Sequence, residues 1–173
     1  MRHYLLHALF FCLCAQFPVL ANPSSEAEML VLQVTKDLNS GRISQAVEEF
    51  HVDAVAKQSA LIFHIARTSK SPSDLAGFLS LYGVSSVEEL EALPEREVVR
   101  LALVQEEAQK APKMKQIMAS ADYKIVGSIV KGDQAFVVVS CEFKIPNAAK
   151  KTVVSVVVTK KEGEIWRYLG NEI

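Results

Sequence analysis

The order of patterns along this 173-residue chain predicts an α+β protein, with N-terminal helices packed on a C-terminal four-stranded antiparallel meander sheet. Two observations carry the prediction. From Tyr123 onward, apolar residues recur with a period of two and are interrupted by turn pairs, as strands require. Before that point they recur at helical spacing and are punctuated by helix starts and stops.

The strands are the plainer half. In Tyr123–Val130, strand parity sets Tyr123, Ile125, Gly127 and Ile129 on one face and Lys124, Val126, Ser128 and Val130 on the other. Gly132-Asp133 then reverses the chain, because Gly accepts positive φ and Asp can bond its own backbone. The second strand, Gln134 to Ile145, places Ala135, Val137, Val139, Cys141, Phe143 and Ile145 together, with Glu142 opposite. Pro146 to Ala149 breaks it. Thr152 to Thr159 follows as a nearly unbroken run of Val, the composition of a central strand covered on both faces. After the turn at Glu162-Gly163, the last strand, Ile165 to Leu169, sets Trp166 and Tyr168 on one face.

The helices are read from caps and spacing. Glu26 to Leu38 carries Met29, Leu30, Leu32, Val34 and Leu38, and Gly41 supplies a left-handed stop. Ser44 is placed as the cap of a helix reaching Ala66, with a break near His51 to Asp53. Ser71-Pro72-Ser73-Asp74 starts the next helix, and Ser86-x-x-Glu89 is a capping box that opens a short one. Pro94 begins a helix whose apolar residues end at Val104, before a polar turn from Gln105 to Lys110. Pro112 to Ala119 then leads into the sheet.

Residues 1–21 differ in composition from the rest. Arg2 precedes an apolar run from Tyr4 to Phe17, and Val19-Leu20-Ala21 puts small residues where a signal peptidase cuts, so a signal peptide followed by a single domain over 22–173 is expected. The expected location is periplasmic or secreted, with no stable membrane insertion after cleavage. Of nineteen Lys and Arg only Arg2 lies in the leader, which leaves eighteen against twenty acids and gives no reason to expect a nucleic-acid partner. Cys141 is the one cysteine after the leader and reads as a buried small hydrophobe.

The Gly132-Asp133-x-Ala135-x-Val137 hairpin, the Val-rich strand and Glu162-Gly163-x-x-Trp166-Arg167 resemble the C-terminal half of the nuclear-transport-factor-two-like superfamily, which includes ketosteroid isomerase. Ser71 to Ala119 is longer and more helical than the corresponding part of that family. The resemblance implies a cone-like fold with a pocket between a concave sheet face and the helices, and in many members a homodimer through the open side of the sheet. Enzymes of the superfamily place Asp or His in that pocket. Here strand parity directs Tyr123, Cys141 and Phe143 toward it and sends Glu142 away, and Trp166 is a further candidate for its lining.

No strand carries a His. His51 and His64, thirteen residues apart, fall on roughly opposite sides of a continuous helix and do not read as a metal pair, and His64 is expected at the edge of a core. No cofactor is suggested: the chain has no paired-cysteine zinc spacing, no His-Glu-x-x-His, no phosphate-binding glycine loop and no Gly-x-Ser-x-Gly elbow. The expectation is an exported, non-catalytic module that uses the concave sheet face for a small apolar ligand or a protein partner. The alternatives are an isomerase- or dehydratase-like enzyme with an acid or base in the pocket, supplied by His51, His64 or Asp53, and a structural cell-envelope protein.

Overall fold

The computed structural model describes residues 23–145 and 149–172. The predicted signal peptide, and Pro146 to Ala148 of the predicted loop, lie outside the described residues. Seven helices precede four strands: α1 Pro23–Asn39, α2 Ile43–Glu48, α3 Val52–Thr68, α4 Pro72–Ser80, α5 Val87–Ala92, α6 Glu95–Gln109, α7 Pro112–Ala119, β1 Asp122–Lys131, β2 Gln134–Phe143, β3 Lys151–Glu162 and β4 Ile165–Glu172. The strands form one antiparallel sheet in the order β1-β2-β3-β4, a meander. The class is α+β, as the sequence predicts.

Helix α1 lies on the inner face of the sheet. The residues it buries are Ala27, Val31 and Val34, with Leu30 and Leu38 beside them, a stripe at intervals of three and four. Met29, which the apolar count includes, is exposed. The helix ends in a Schellman motif: Gly41 takes φ 75° while its N–H bonds Leu38 and the Arg42 N–H bonds Asp37. That closure folds Arg42 back onto Asp37, whose buried carboxylate accepts from Arg42 Nε at 2.6 Å and from Gln33 Nε2 at 2.7 Å.

Between α2 and α3 the chain becomes extended and runs alongside β4. Phe50 pairs with Tyr168, with the His51 N–H on the Tyr168 carbonyl and the Tyr168 N–H on the Glu49 carbonyl, both at 2.8 Å. The Arg96 guanidinium of α6 donates to the carbonyls of Val47 and Phe50 and so holds the break in place. Ser44 does not cap α2; the helix starts at Ile43, and Arg42 precedes it without a side-chain cap. The cap of α3 is His51, whose Nδ1 accepts from the Asp53 N–H. Ser71 and Ser86 cap α4 and α5 as their sequences require. The Glu89 carboxylate reaches back to the Ser85 N–H, one residue earlier than the usual capping box.

Two apolar clusters form. The larger joins α1, α2 and Val99 of α6 to the inner face of β2, β3 and β4. The smaller is built from helices alone, with Ile62 and Ala66 of α3, Leu79 of α4, Leu90 of α5 and Val98 of α6 at its centre. Helix α6 belongs to both, since Val98 and Val99 point to different clusters. It also runs on to Gln109, through the segment whose polarity suggests a turn.

Parity needs correction at two bulges. Ile125 pairs with Val139 and Gly127 with Val138, so Val126 is an extra residue. Beyond it the faces exchange: Ser128 turns inward to the Glu28 carboxylate of α1, and Ile129, expected beside Tyr123, is 71% exposed on the far face. In β4, Thr159 pairs with Tyr168 and Val158 with Gly170, leaving Leu169 as the extra residue and turning Asn171 inward. The Val-rich strand β3 is central, but only Val157, Val158 and Thr159 are buried, and Val153 and Val154 are exposed.

Candidate functional site

A cavity of about 260 Å³ lies between the inner face of the sheet and helices α1, α6 and α7. Its sheet wall is Val139 and Cys141 of β2, Ser155 and Val157 of β3 and Tyr123 of β1, and its helix wall includes Leu38, Leu103 and Met118. Tyr168 and Asn171 close one end, and the Tyr168 hydroxyl donates to Asn171 Oδ1 at 3.1 Å. The bulge at Leu169 is what permits this, because it allows two residues three apart to face the same way. Tyr168 is further fixed by stacking on Phe50, with ring centroids 5.1 Å apart.

Of the residues predicted to line the pocket, Tyr123 and Cys141 do so. Phe143 lines an adjoining groove of about 230 Å³ with Met114 and Ile117, and Met118 borders both spaces. Trp166 is elsewhere: it is buried in the main apolar cluster, with the Lys161 ammonium 5.6 Å from its ring centre, and takes no part in the cavity wall. It faces inward, as strand parity predicts, but lies toward the β3–β4 turn, beyond the cavity.

The polar groups around the cavity are few. The Tyr123 hydroxyl is buried and, among the described side chains, is the one buried polar atom with no hydrogen-bond partner. Burial, and next the Cys141 thiol, push its pKa well above that of a free tyrosine. Burial likewise raises the Cys141 thiol, so at neutral pH it is protonated and not a nucleophilic thiolate. Asn39 turns its amide back to the Thr35 carbonyl at 2.8 Å. Glu106 and Lys110, which the sequence assigns to a solvated turn, border the cavity from α6 and the residue just after it. Glu106 is exposed there, and Lys110 is held by Glu107 at 2.8 Å.

The acids and bases that the sequence offers for the pocket, His51, His64 and Asp53, are placed elsewhere, as is Glu142. Glu142 pairs with Lys150 at 2.6 Å, and Asp53 with Lys160 at 2.7 Å; in each case the hydrogen bond from the lysine is the main cause of a lowered carboxyl pKa. His51 is buried, with its Nδ1 committed to the cap of α3. His64 is exposed, not at a core edge. None of the four borders the cavity. Among the described residues no three His, Cys, Asp or Glu are grouped to hold a metal ion, and no helix is long and apolar enough to cross a membrane.

Fold and site together define an α+β protein with a mainly apolar cavity between sheet and helices. No protein-family model, curated protein or solved structure matches this chain.

Proposed function

We propose that the chain is an exported, non-catalytic binding module that takes a small apolar ligand against the inner face of its sheet. The observation that carries this reading is the cavity itself, walled by Leu38, Leu103, Val139 and Val157 and without an acid or base on its sheet wall. Its ~260 Å³ is smaller than the roughly 300–1,000 Å³ typical of drug-sized ligands but larger than the roughly 150 Å³ apolar cavity that admits benzene. A compact ligand is therefore indicated. Export is supported by the leader over residues 1–21, and the order of helices before a four-stranded meander supports kinship with the nuclear-transport-factor-two-like superfamily.

Ser155 provides the test, because it lines the cavity from the middle of β3 and, among the described residues, makes no side-chain hydrogen bond that a larger residue would break. Secreted protein, whose first residue intact mass should place at Asn22, is titrated with toluene and followed by amide chemical shifts and melting temperature. Toluene should shift Leu38, Val139 and Val157 and raise the melting temperature by mass action. Ser155→Leu should abolish both responses while the protein stays folded. An unchanged toluene response in the variant would place the binding elsewhere and defeat the reading.

A second reading concerns the far face of the sheet, where Val126, Ile129 and Val154 are 65%, 71% and 59% exposed. Apolar side chains grouped on one side of a sheet support a partner for that side, and a second copy of the chain is the partner we propose.

A further inference from the structure

We propose that the ligand is uncharged and carries one oxygen, a ketone, ether or alcohol, which sits against the Tyr123 hydroxyl while the rest of the molecule fills the apolar part of the cavity. The inference rests on the binding reading above and specifies its chemistry. Its starting point is the Tyr123 hydroxyl, which is buried at the edge of the cavity and bonded to no protein group. Buried polar atoms are nearly always paired, so an orphaned one at a cavity wall marks where a ligand can supply the missing partner. The Cys141 thiol and the Asn39 side chain stand close enough to perturb the hydroxyl, but neither meets it in hydrogen-bond geometry, and Asn39 gives an amide N–H to the Thr35 carbonyl.

The charge of the ligand follows from what surrounds that hydroxyl. An anion would need a free cation or several donors, but Arg42, in the groove that adjoins Tyr123, is held by Asp37, and Lys110 by Glu107. Lys36, in the same groove, is exposed to solvent. The burial that raises the pKa of both Tyr123 and Cys141 penalises any negative charge placed beside them. A cation finds no carboxylate on the sheet wall, and Glu106 is solvated. A neutral oxygen needs only one donor, and the Tyr123 phenol, protonated throughout the physiological range, is that donor.

The test compares acetophenone, ethylbenzene and benzoate, which are close in size, on the mature wild-type chain and on Tyr123→Phe. The substitution keeps the ring and removes the orphaned hydroxyl, so the variant should fold with a melting temperature equal to or above that of wild type. Acetophenone should bind wild type about tenfold more tightly than Tyr123→Phe, the ratio expected when one buried hydrogen bond is lost. Ethylbenzene should bind both proteins alike, and benzoate should bind neither. Equal acetophenone affinity in the two proteins, or benzoate binding as tight as acetophenone, overturns the inference while leaving an apolar cavity that binds. Failure of acetophenone and ethylbenzene alike to bind wild type overturns the binding reading and this inference with it.

Discussion

Tyr168 shows how one side chain can serve fold and site together. Its backbone holds the Phe50 pairing, its ring stacks on Phe50, and its hydroxyl closes one end of the cavity through Asn171. Burial pushes its pKa from 10.0 up to about 12. Because the folded value is the higher one, the stability linked to this group is fully present below pH 10 and is lost as pH rises through about 12. A displacement of that size corresponds to roughly 2–3 kcal/mol. Urea unfolding midpoints measured from pH 8 to 12 should therefore fall above pH 10, and the fall should be shallower in Tyr168→Phe. The burial-raised hydroxyls of Tyr82 and Tyr123 should preserve part of the slope in that variant. A midpoint independent of pH over that range would contradict the burial assigned to these rings.

At the scale of elements, the break between α2 and α3 depends on a side chain from far along the chain. The planar Arg96 guanidinium serves two carbonyls, those of Val47 and Phe50, and a lysine cannot reproduce its fork. Arg96→Lys should cost about 1–2 kcal/mol in chemical unfolding, by weakening two bonds to carbonyls at the end of α2 and just beyond it. A loss below ~0.3 kcal/mol would show that the pairing of Phe50 with Tyr168 holds the break unaided. The sequence gives a hint of that break, because His51-Val52-Asp53 can act as a helix start, but Arg96 gives no local sign of its role. Caps and turns were legible because their chemistry is local: Gly41, Ser71, Ser86 and Gly132 each act within a few residues. The bulges at Val126 and Leu169 were not, because each depends on how its strand meets a neighbour and on side chains, such as Glu28, that approach from α1. The length of α6 was hidden for a related reason. Its last turns, Gln105 to Gln109, are polar because little covers them, while the helix continues for want of any breaker before Pro112.

For the whole molecule, the sequence predicted the class and the strand order because alternation and turn pairs define a meander almost by themselves. The site was legible only in part. Tyr123 precedes the β1 bulge and Cys141 lies on a strand without one, so both follow simple parity into the cavity, whereas Asn171 enters it only through the Leu169 bulge and Met118 through the packing of α7. The proposed pairing of two copies through their far faces belongs to this scale. Ile129→Lys places a charge opposite Phe136 on that face, so sedimentation should show wild type as a dimer at micromolar concentration and the variant as a monomer of unchanged fold. A monomeric wild type at concentrations of about 100 μM would remove the second reading and leave the cavity reading intact.

The strip of chain at Glu49 to His51 has a consequence for polymerisation. A meander has two edges, and each is a template onto which another chain can be laid. In this protein the β4 edge is already taken at its middle, since both backbone groups of Tyr168 are bonded to residues 49–51. The opposite edge, β1, is kinked by its bulge and carries Lys124 and Lys131. End-to-end growth of a fibril needs two competent edges on every unit, one to donate and one to receive. With the middle of one edge occupied by its own chain, pairing between folded molecules is steered to β1, which favours a pair of molecules over a filament.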